Sequence, residues 1–244
     1  MCFVMNRTNE EILAIIPARR GSKRLPKKNV LPLAGRPCIE WTLDAACRAS
    51  QIDHVVVSSD DPVVHGIVRQ YDKVSIVERP GRLGRDETST IDVVLHALDE
   101  LTSQGYNFTW LLLLQPTSPL RTCEHIDTAV AMARKQASDG LVSICRTAHP
   151  KEWIGSTNPG ESLEDFFSET ELVKNSASFR PSYTVNGAIY LIRTSVLRET
   201  RSFFPKKNMI SYEMERRDSV DIDDKYDFEV AEWSLSARMK NSRS

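Results

Sequence analysis

The sequence predicts an α/β layered domain built around a mostly parallel sheet. Apolar runs of strand length alternate with longer stretches of helical spacing. Several of those runs are apolar at nearly every position, as burial on both faces of a parallel sheet requires. The chain is also 41% hydrophobic over 244 residues, enough to build a core and too much for disorder. Its length fits one large domain, or one domain with an inserted subdomain.

Taken in order, the first strand is expected over 12–17, an unbroken apolar run from Ile12 to Pro17. A helical pattern follows over 39–49. The β-branched run at 54–58 predicts the second strand, followed by a helix over 62–70. A strand over 75–78, a helix over 91–104, a strand over 110–114, a helix over 124–135 and a strand over 141–145 continue the alternation. It fails over 147–184, where Pro150, Pro159, Gly160 and Pro181 interrupt a polar stretch. A segment this long rarely lacks structure inside a compact domain, so 147–184 is expected to be an inserted arm, with a mobile surface excursion as the alternative. The pattern resumes with a strand over 188–192. It closes with a helix over 225–239, where Tyr226, Val230, Trp233 and Ala237 recur at helical spacing. The main domain is therefore assigned to 11–146 and 185–241.

Composition excludes several function classes. There are 32 Lys and Arg against 33 Asp and Glu, so no global field favours nucleic acid or an anionic membrane as partner. The apolar runs, Trp110 to Leu114 among them, fall far short of the ~20 residues that span a bilayer. The N-terminal residues lack the charged start, long apolar stretch and cleavage site of a signal peptide. Cys2, Cys38, Cys47, Cys123 and Cys145 form no Cys-x-x-Cys pair, which argues against a zinc site or a disulfide framework and suggests a reducing cytoplasm.

The charges are balanced in sum but not in place. Between Arg19 and Lys28, six of ten residues are basic and none is acidic. This segment follows the first strand, at the sheet edge where open α/β domains bind ligands. Gly21 lets backbone amides approach phosphate oxygens, and the Arg and Lys side chains neutralise several charges at once, so a triphosphate is the natural guest. A Walker loop is absent. A solvated basic turn is the plain alternative; an RNA-binding strip would want interleaved aromatic residues, which this segment lacks. At the other end, Asp221 and Asp223 stand two residues apart, so an extended backbone would point both to one face. Such a pair suits Mg²⁺, which takes one or two protein carboxylates and completes its shell from phosphates and water. Helix capping competes for these carboxylates, and Asp224 is the one expected to cap. Between Leu114 and Arg121, amide and hydroxyl groups lie between stiffening prolines. That loop can orient a polyhydroxylated ligand, unless Gln115 is an idle turn residue.

Together these segments look familiar. Ile15-Ile16-Pro17-Ala18-Arg19-Arg20-Gly21-Ser22-Lys23 followed by Leu25-Pro26-Lys27-Lys28-Asn29 resembles the signature of the acylneuraminate cytidylyltransferases, or CMP-sialic acid synthetases. Val57-Ser58-Ser59-Asp60, Glu78-Arg79-Pro80, Leu113 to Arg121, Asn186-Gly187-Ala188-Ile189-Tyr190, Phe203-Phe204 and Asp221-Ile222-Asp223 extend the likeness in the family's order. The resemblance implies a Rossmann-like nucleotidyltransferase with an inserted dimerisation arm. It also implies a homodimer and a Mg²⁺-dependent reaction of CTP with a nonulosonic 2-keto sugar acid, giving the CMP-sugar and pyrophosphate.

Carried over by motif, the resemblance implies that Arg19, Gly21, Ser22, Lys23, Lys28 and Asn29 hold the triphosphate and ribose. Arg79, Thr88 and Thr90 would hold the base and sugar. Gln115, Thr117 and Ser118 would contact the acceptor, with Asn186, Tyr190, Phe203 and Phe204 walling its pocket and Lys151 reaching a neighbouring subunit's acceptor. Asp221 and Asp223 would carry the metal, and Arg19, Lys28, Gln115, Asp221 and Asp223 would form the catalytic set. No His lies in a matched catalytic motif, so no general base is named. One departure stands out: where many members have a basic residue two before the Asn of Asn-Gly-Ala-Ile-Tyr, this chain has Thr184. Arg180 or Lys174 could substitute from the arm, and legionaminic, pseudaminic and related acids are candidate acceptors. An eight-carbon acid such as 3-deoxy-manno-octulosonate is the alternative acceptor, and a catalytically silent nucleotide-binding protein the alternative of another class.

Overall fold

The computed structural model describes residues 10–22, 24–85 and 87–241. Among the described residues, nine strands run in chain order as β1 (Ile12–Ala18), β2 (Pro32–Leu33), β3 (Arg36–Pro37), β4 (His54–Ser59), β5 (Val74–Glu78), β6 (Trp110–Leu113), β7 (Gly140–Arg146), β8 (Tyr183–Arg193) and β9 (Met209–Glu213). The helices are α1 (Cys38–Arg48), α2 (Pro62–Val68), α3 (Thr90–Ser103), α4 (Cys123–Lys135), α5 (Glu164–Glu169), α6 (Thr194–Thr200) and α7 (Lys225–Asn241). Seven strands form one sheet in the order β5-β4-β1-β6-β8-β7-β9, and β2 and β3 pair separately. Only β8 runs against its neighbours; the pairs β5–β4, β4–β1, β1–β6 and β7–β9 are parallel.

The β1 strand shows why a central parallel strand reads as a solid apolar run. Ile12, Ala14 and Ile16 face the layer containing Ile39 and Leu43 of α1, Val64 of α2 and Ile126 of α4. Leu13 and Ile15 face the opposite layer, with Val94 and Leu98 of α3 and Leu197 of α6. Each face must be apolar because each is covered by helices. Local chemistry sets the helix starts. Asp61 caps α2 by accepting from the Val63 amide at 2.9 Å, Ser89 caps α3 by accepting from Asp92 at 3.1 Å, and Thr122 and His125 form a reciprocal box at the start of α4.

The elements β2, β3, α5, α6 and β9 have no counterpart among those expected from the sequence. The β9 strand is an edge strand with no fully buried residue, and so has no strong apolar pattern. The α6 helix is short and buries only Leu197. The α7 helix forms, but its apolar stripe is turned from the expected one: Ala231 and Leu235 are buried against Leu33, Leu120 and Ile222, whereas Tyr226 and Trp233 are each 73% exposed. Between Arg146 and Tyr183 the chain leaves the sheet. It forms 3₁₀ turns at Lys151–Trp153 and Ser176–Ser178 and the short α5, none of which contains a buried residue. No helix among the described residues is long and apolar enough to cross a membrane.

Candidate active site

A cleft of about 590 Å³ opens beyond the carboxyl ends of the parallel strands, the position ligands take in open α/β sheets. Arg19, Gly21 and Ser22 enter it from the loop after β1, and Lys28 and Asn29 from the 3₁₀ turn that follows. Arg79 comes from the end of β5, Thr88 and Thr90 from the start of α3, Gln115 and Thr117 from the turn after β6, and Asp223 from the segment before α7. Lys23 lies outside the described residues. Arg24 and Arg85 also line the cleft. Arg24 belongs to the basic run visible in the sequence, whereas Arg85 has no local signal because only the fold brings it there.

The cationic end is held by backbone contacts. The Arg20 amide donates to Asp60 Oδ1 at 2.8 Å, and Asn29 Nδ2 donates to the Arg19 carbonyl at 3.1 Å, fixing both halves of the loop. Arg79 is 5% exposed, with its guanidinium donating to the Ser58 carbonyl at 2.8 Å. Burial pushes its pKa down to about 10, a shift that Asp60 opposes and Arg19 adds to. A desolvated cation beside a second one stores a demand for negative charge, which a polyphosphate meets.

The carboxylates adjoin this cationic loop: Asp223 lines the cleft, whereas Asp221 is not among its lining residues. The segment Asp221-Ile222-Asp223 lies outside the strands and helices, so the extended strand expected there is not formed. The Ile222 amide donates to the Thr117 carbonyl at 2.8 Å, and Lys28 Nζ donates to the Ile222 carbonyl. Ile222 is fully buried between the two acids. Burial raises the Asp221 pKa; a hydrogen bond from Thr117 opposes the shift and nearby Asp223 adds to it. Asp221 Oδ1 is buried without a hydrogen-bond partner. Asp223 is half-exposed and pairs with Arg24 at 2.8 Å, with Lys28 Nζ at 3.9 Å. Burial lowers the Lys28 pKa, against the pull of Asp223 and Asp221. Asp224 does cap α7: its Oδ1 accepts from the Asp227 amide at 3.1 Å while Asp227 Oδ2 accepts from the Asp224 amide at 3.1 Å. No group of three or more His, Cys, Asp or Glu suited to a metal occurs among the described residues. The buried, unsatisfied oxygen of Asp221 beside a second carboxylate does fit a cation that takes the rest of its shell from a substrate.

Gly187 lies between Asp221 and Gln115. Its φ is +76°, and a Cβ there would stand 2.8 Å from Asp221 Oδ2 and 3.1 Å from Gln115 Oε1. Only glycine lets the carboxylate and the amide close over the bulge in β8. Tyr190 packs against Phe203 and Phe204 at ring-centroid distances of 5.7 and 5.9 Å; Phe203 is 5% exposed and Phe204 58%. Burial, and secondarily Asp221, raises the Tyr190 pKa, which puts this aromatic group within the electrostatic reach of the carboxylate.

Two residues expected at the acceptor lie behind the surface instead. Ser118 is fully buried, and Asn186 is 4% exposed with its amide oxygen accepting from Ser143 Oγ at 2.6 Å and its nitrogen donating to Ser219 Oγ at 2.9 Å. Asn186 thus ties β8 to β7 and to the segment before Asp221. Lys151 is exposed on the arm and does not line the cleft of its own chain. Lys174 pairs with Glu171 and lies 5.9 Å from the Phe179 ring centroid, while Arg180 lines a separate cavity at the arm's root.

Comparison with known proteins gives this geometry its context. N-acylneuraminate cytidylyltransferase of Escherichia coli is 32% identical over 96% of this chain, which spans about half (53%) of that relative's length. CMP-N,N'-diacetyllegionaminic acid synthase of Legionella pneumophila is 34% identical over 91% of this chain and 94% of its own. Among solved structures, CMP:2-keto-3-deoxy-manno-octonic acid synthetase complexed with CTP shares the fold with a TM-score of 0.68 and 18% identity, covering 94% of this chain and 100% of that one. A family model described as cytidylyltransferase matches residues 13–217, from β1 to the turn before Asp221, and the chain belongs to that cytidylyltransferase family.

Proposed function

We propose that this protein transfers the cytidylyl group of CTP to a nonulosonic, sialic-type 2-keto sugar acid, releasing pyrophosphate. The observation that carries the reading is the convergence of Arg19, Lys28, Arg79, Gln115 and Asp223 on one cleft, with Asp221 closing on Gly187 beside Gln115. In the reaction the anomeric hydroxyl oxygen attacks the α-phosphorus and gives up its proton to water, the bond to the bridging oxygen breaks, and pyrophosphate carries away the electron pair. Most of the rate enhancement comes from in-line positioning and from offsetting charge on the departing oxygens. Arg19 and Lys28 supply that offset, Thr88 and Thr90 meet the nucleoside, and Gln115 orients the acid. Asp221 and Asp223 would hold Mg²⁺, which when bound neutralises phosphate charge and acidifies the attacking hydroxyl.

A nine-carbon acceptor is favoured over an eight-carbon one by the Legionella relative, which matches over nearly the full length of both chains, and by the Tyr190, Phe203 and Phe204 group. On the same reading the arm is a dimerisation element. Ile154, Phe167 and Val173 are 63%, 57% and 98% exposed on it, more apolar surface than so small an excursion needs if it stays in water. The partner's arm then presents Lys151 to the acceptor. A reducing, cytoplasmic setting suits the free thiols of Cys38, Cys47, Cys123 and Cys145. Pyrophosphate release, measured with CTP, Mg²⁺ and a panel of nine- and eight-carbon acids, tests the proposal: turnover with a nine-carbon acid is expected. Preference for the eight-carbon acid would overturn the acceptor, and CTP binding without turnover on any acid would overturn the activity.

A further inference from the structure

Behind the acceptor wall lies a charged side chain that the mechanism above does not use. Arg121 is 2% exposed and makes no ion pair among the described residues. Its guanidinium instead reaches three elements. Nη1 donates to the Ala188 carbonyl on β8 at 2.9 Å and to the Gln115 carbonyl at 3.3 Å, and Nη2 donates to Thr42 Oγ1 on α1 at 2.7 Å. Nε is buried without a partner. One turn earlier on α1, Cys38 Sγ lies 3.5 Å from the Pro116 carbonyl, so α1 and Arg121 together hold the backbone of the turn that presents Gln115.

A buried arginine without a carboxylate costs several kcal/mol of desolvation. Burial drives its pKa down to about 9, opposed only by Asp221, although guanidinium keeps its proton at neutral pH. An apolar residue of similar volume would serve packing alone at no such penalty. The position of the charge suggests what the arginine adds. Ala188 follows Gly187, the glycine that Asp221 and Gln115 close over. The fork therefore grips the backbone on both sides of that contact, and its charge sits behind the wall that receives an anionic acid.

We propose that Arg121 is a positioning residue for the acceptor. It locks the Gln115 turn directly to the β8 bulge, with Thr42 of α1 holding the other arm of its fork, and it places a fixed positive charge behind the acid-binding wall. This rests on the proposed function in assigning Gln115 to the acceptor. A planar fork is needed, because one ammonium cannot direct parallel donors to two carbonyls and a hydroxyl. Preorganised charge of this kind acts on whatever develops or binds in front of it, without reorganising.

The test compares Arg121→Lys, Arg121→Met, Thr42→Val and Thr42→Ser, with CTP and the sugar acid varied separately and melting temperatures recorded. Both Arg121 variants are expected to raise KM for the acid ~10-fold or more while KM for CTP stays within ~2-fold. Thr42→Val, which removes one hydroxyl and keeps the shape, is expected to raise the acid KM ~3-fold, and Thr42→Ser to restore it. If Arg121→Met does not fold, Thr42→Val and Arg121→Lys decide. An unchanged acid KM in both, or equal rises for CTP and acid, overturns the proposal. Hydrogen exchange judges the anchoring without substrate. Thr42→Val should speed exchange ~10-fold in the 115–121 turn and leave β1 unchanged, and identical exchange in the turn would overturn the anchoring claim. Failure of the wild type to activate any acid would instead strike the proposed function.

Discussion

The two ends of the cleft are built on different principles. At the cationic end, Arg19, Ser22 and Lys28 line the cleft from a loop whose backbone is pinned by Asp60 and Asn29, with Lys28 Nζ donating to the Ile222 carbonyl. At the acceptor end, Asp221, Gly187 and Gln115 are in near contact, and Thr42, Arg121 and Asn186 brace them from behind. The first end needs many positive charges and tolerates their rearrangement, since a triphosphate offers several oxygens to each. The second must fix one hydroxyl against one phosphorus, and small displacements there cost rate steeply. Damage at the cationic end should therefore appear mainly as weaker CTP binding, and damage at the acceptor end as lost turnover or weaker acid binding.

That contrast can be broken most forcefully at the carboxylates. Asp221→Asn or Asp223→Asn should cut kcat at least ~100-fold with the fold intact, and near-normal turnover in both would remove them from the metal site. Asp221→Asn should also raise the melting temperature at neutral pH in a chelated sample. A carboxyl whose folded pKa is raised contributes stability below its unfolded pKa and loses it as pH rises through the folded one. The asparagine gain should fade as pH falls toward the ordinary carboxylate range. Gly187→Ala comes next: its Cβ would collide with Asp221 and Gln115 at a positive φ. Loss of ~10–100-fold in kcat is expected, with about 1–3 kcal/mol lost in denaturant unfolding. Arg79→Met should raise KM for CTP ~10-fold and change kcat less, sharpening the division between the ends.

The smallest effect lies away from the cleft. Burial, and then Arg238, lower the His125 pKa at the start of α4, so its contribution to stability is lost as pH falls below about 6.5. His125→Gln should flatten thermal stability between pH 7 and 5 without changing either KM.

Legibility in the sequence followed the same division. The central strands β1, β4 and β6 were readable because two covered faces make every position apolar, and the basic run after β1 because its charges are consecutive. The β9 strand and the first residues of β8 were not, since Tyr183, Thr184 and Val185 are exposed and carry no alternation. Near the cleft, the spacing of Asp221 and Asp223 marked them as a pair in the sequence, although the strand assumed for them is not formed. Gly187 and Arg121 stood inside recognisable motifs, but what they do depends on contacts between segments roughly 35 to 80 residues apart, which no local pattern records. Asn186 and Ser118 show the converse: polar residues in a motif can be fixed behind the surface, where they support the site without facing its ligand.

The central claim is that one cleft joins CTP to a nine-carbon sugar acid. Its most direct measurement is pyrophosphate release from CTP and Mg²⁺ with nonulosonic and octulosonic acids supplied separately, the CMP-sugar product being identified by mass. The account predicts stoichiometric pyrophosphate and a CMP-nonulosonate. Turnover confined to the octulosonate, or CTP binding with no product from any acid, would contradict it.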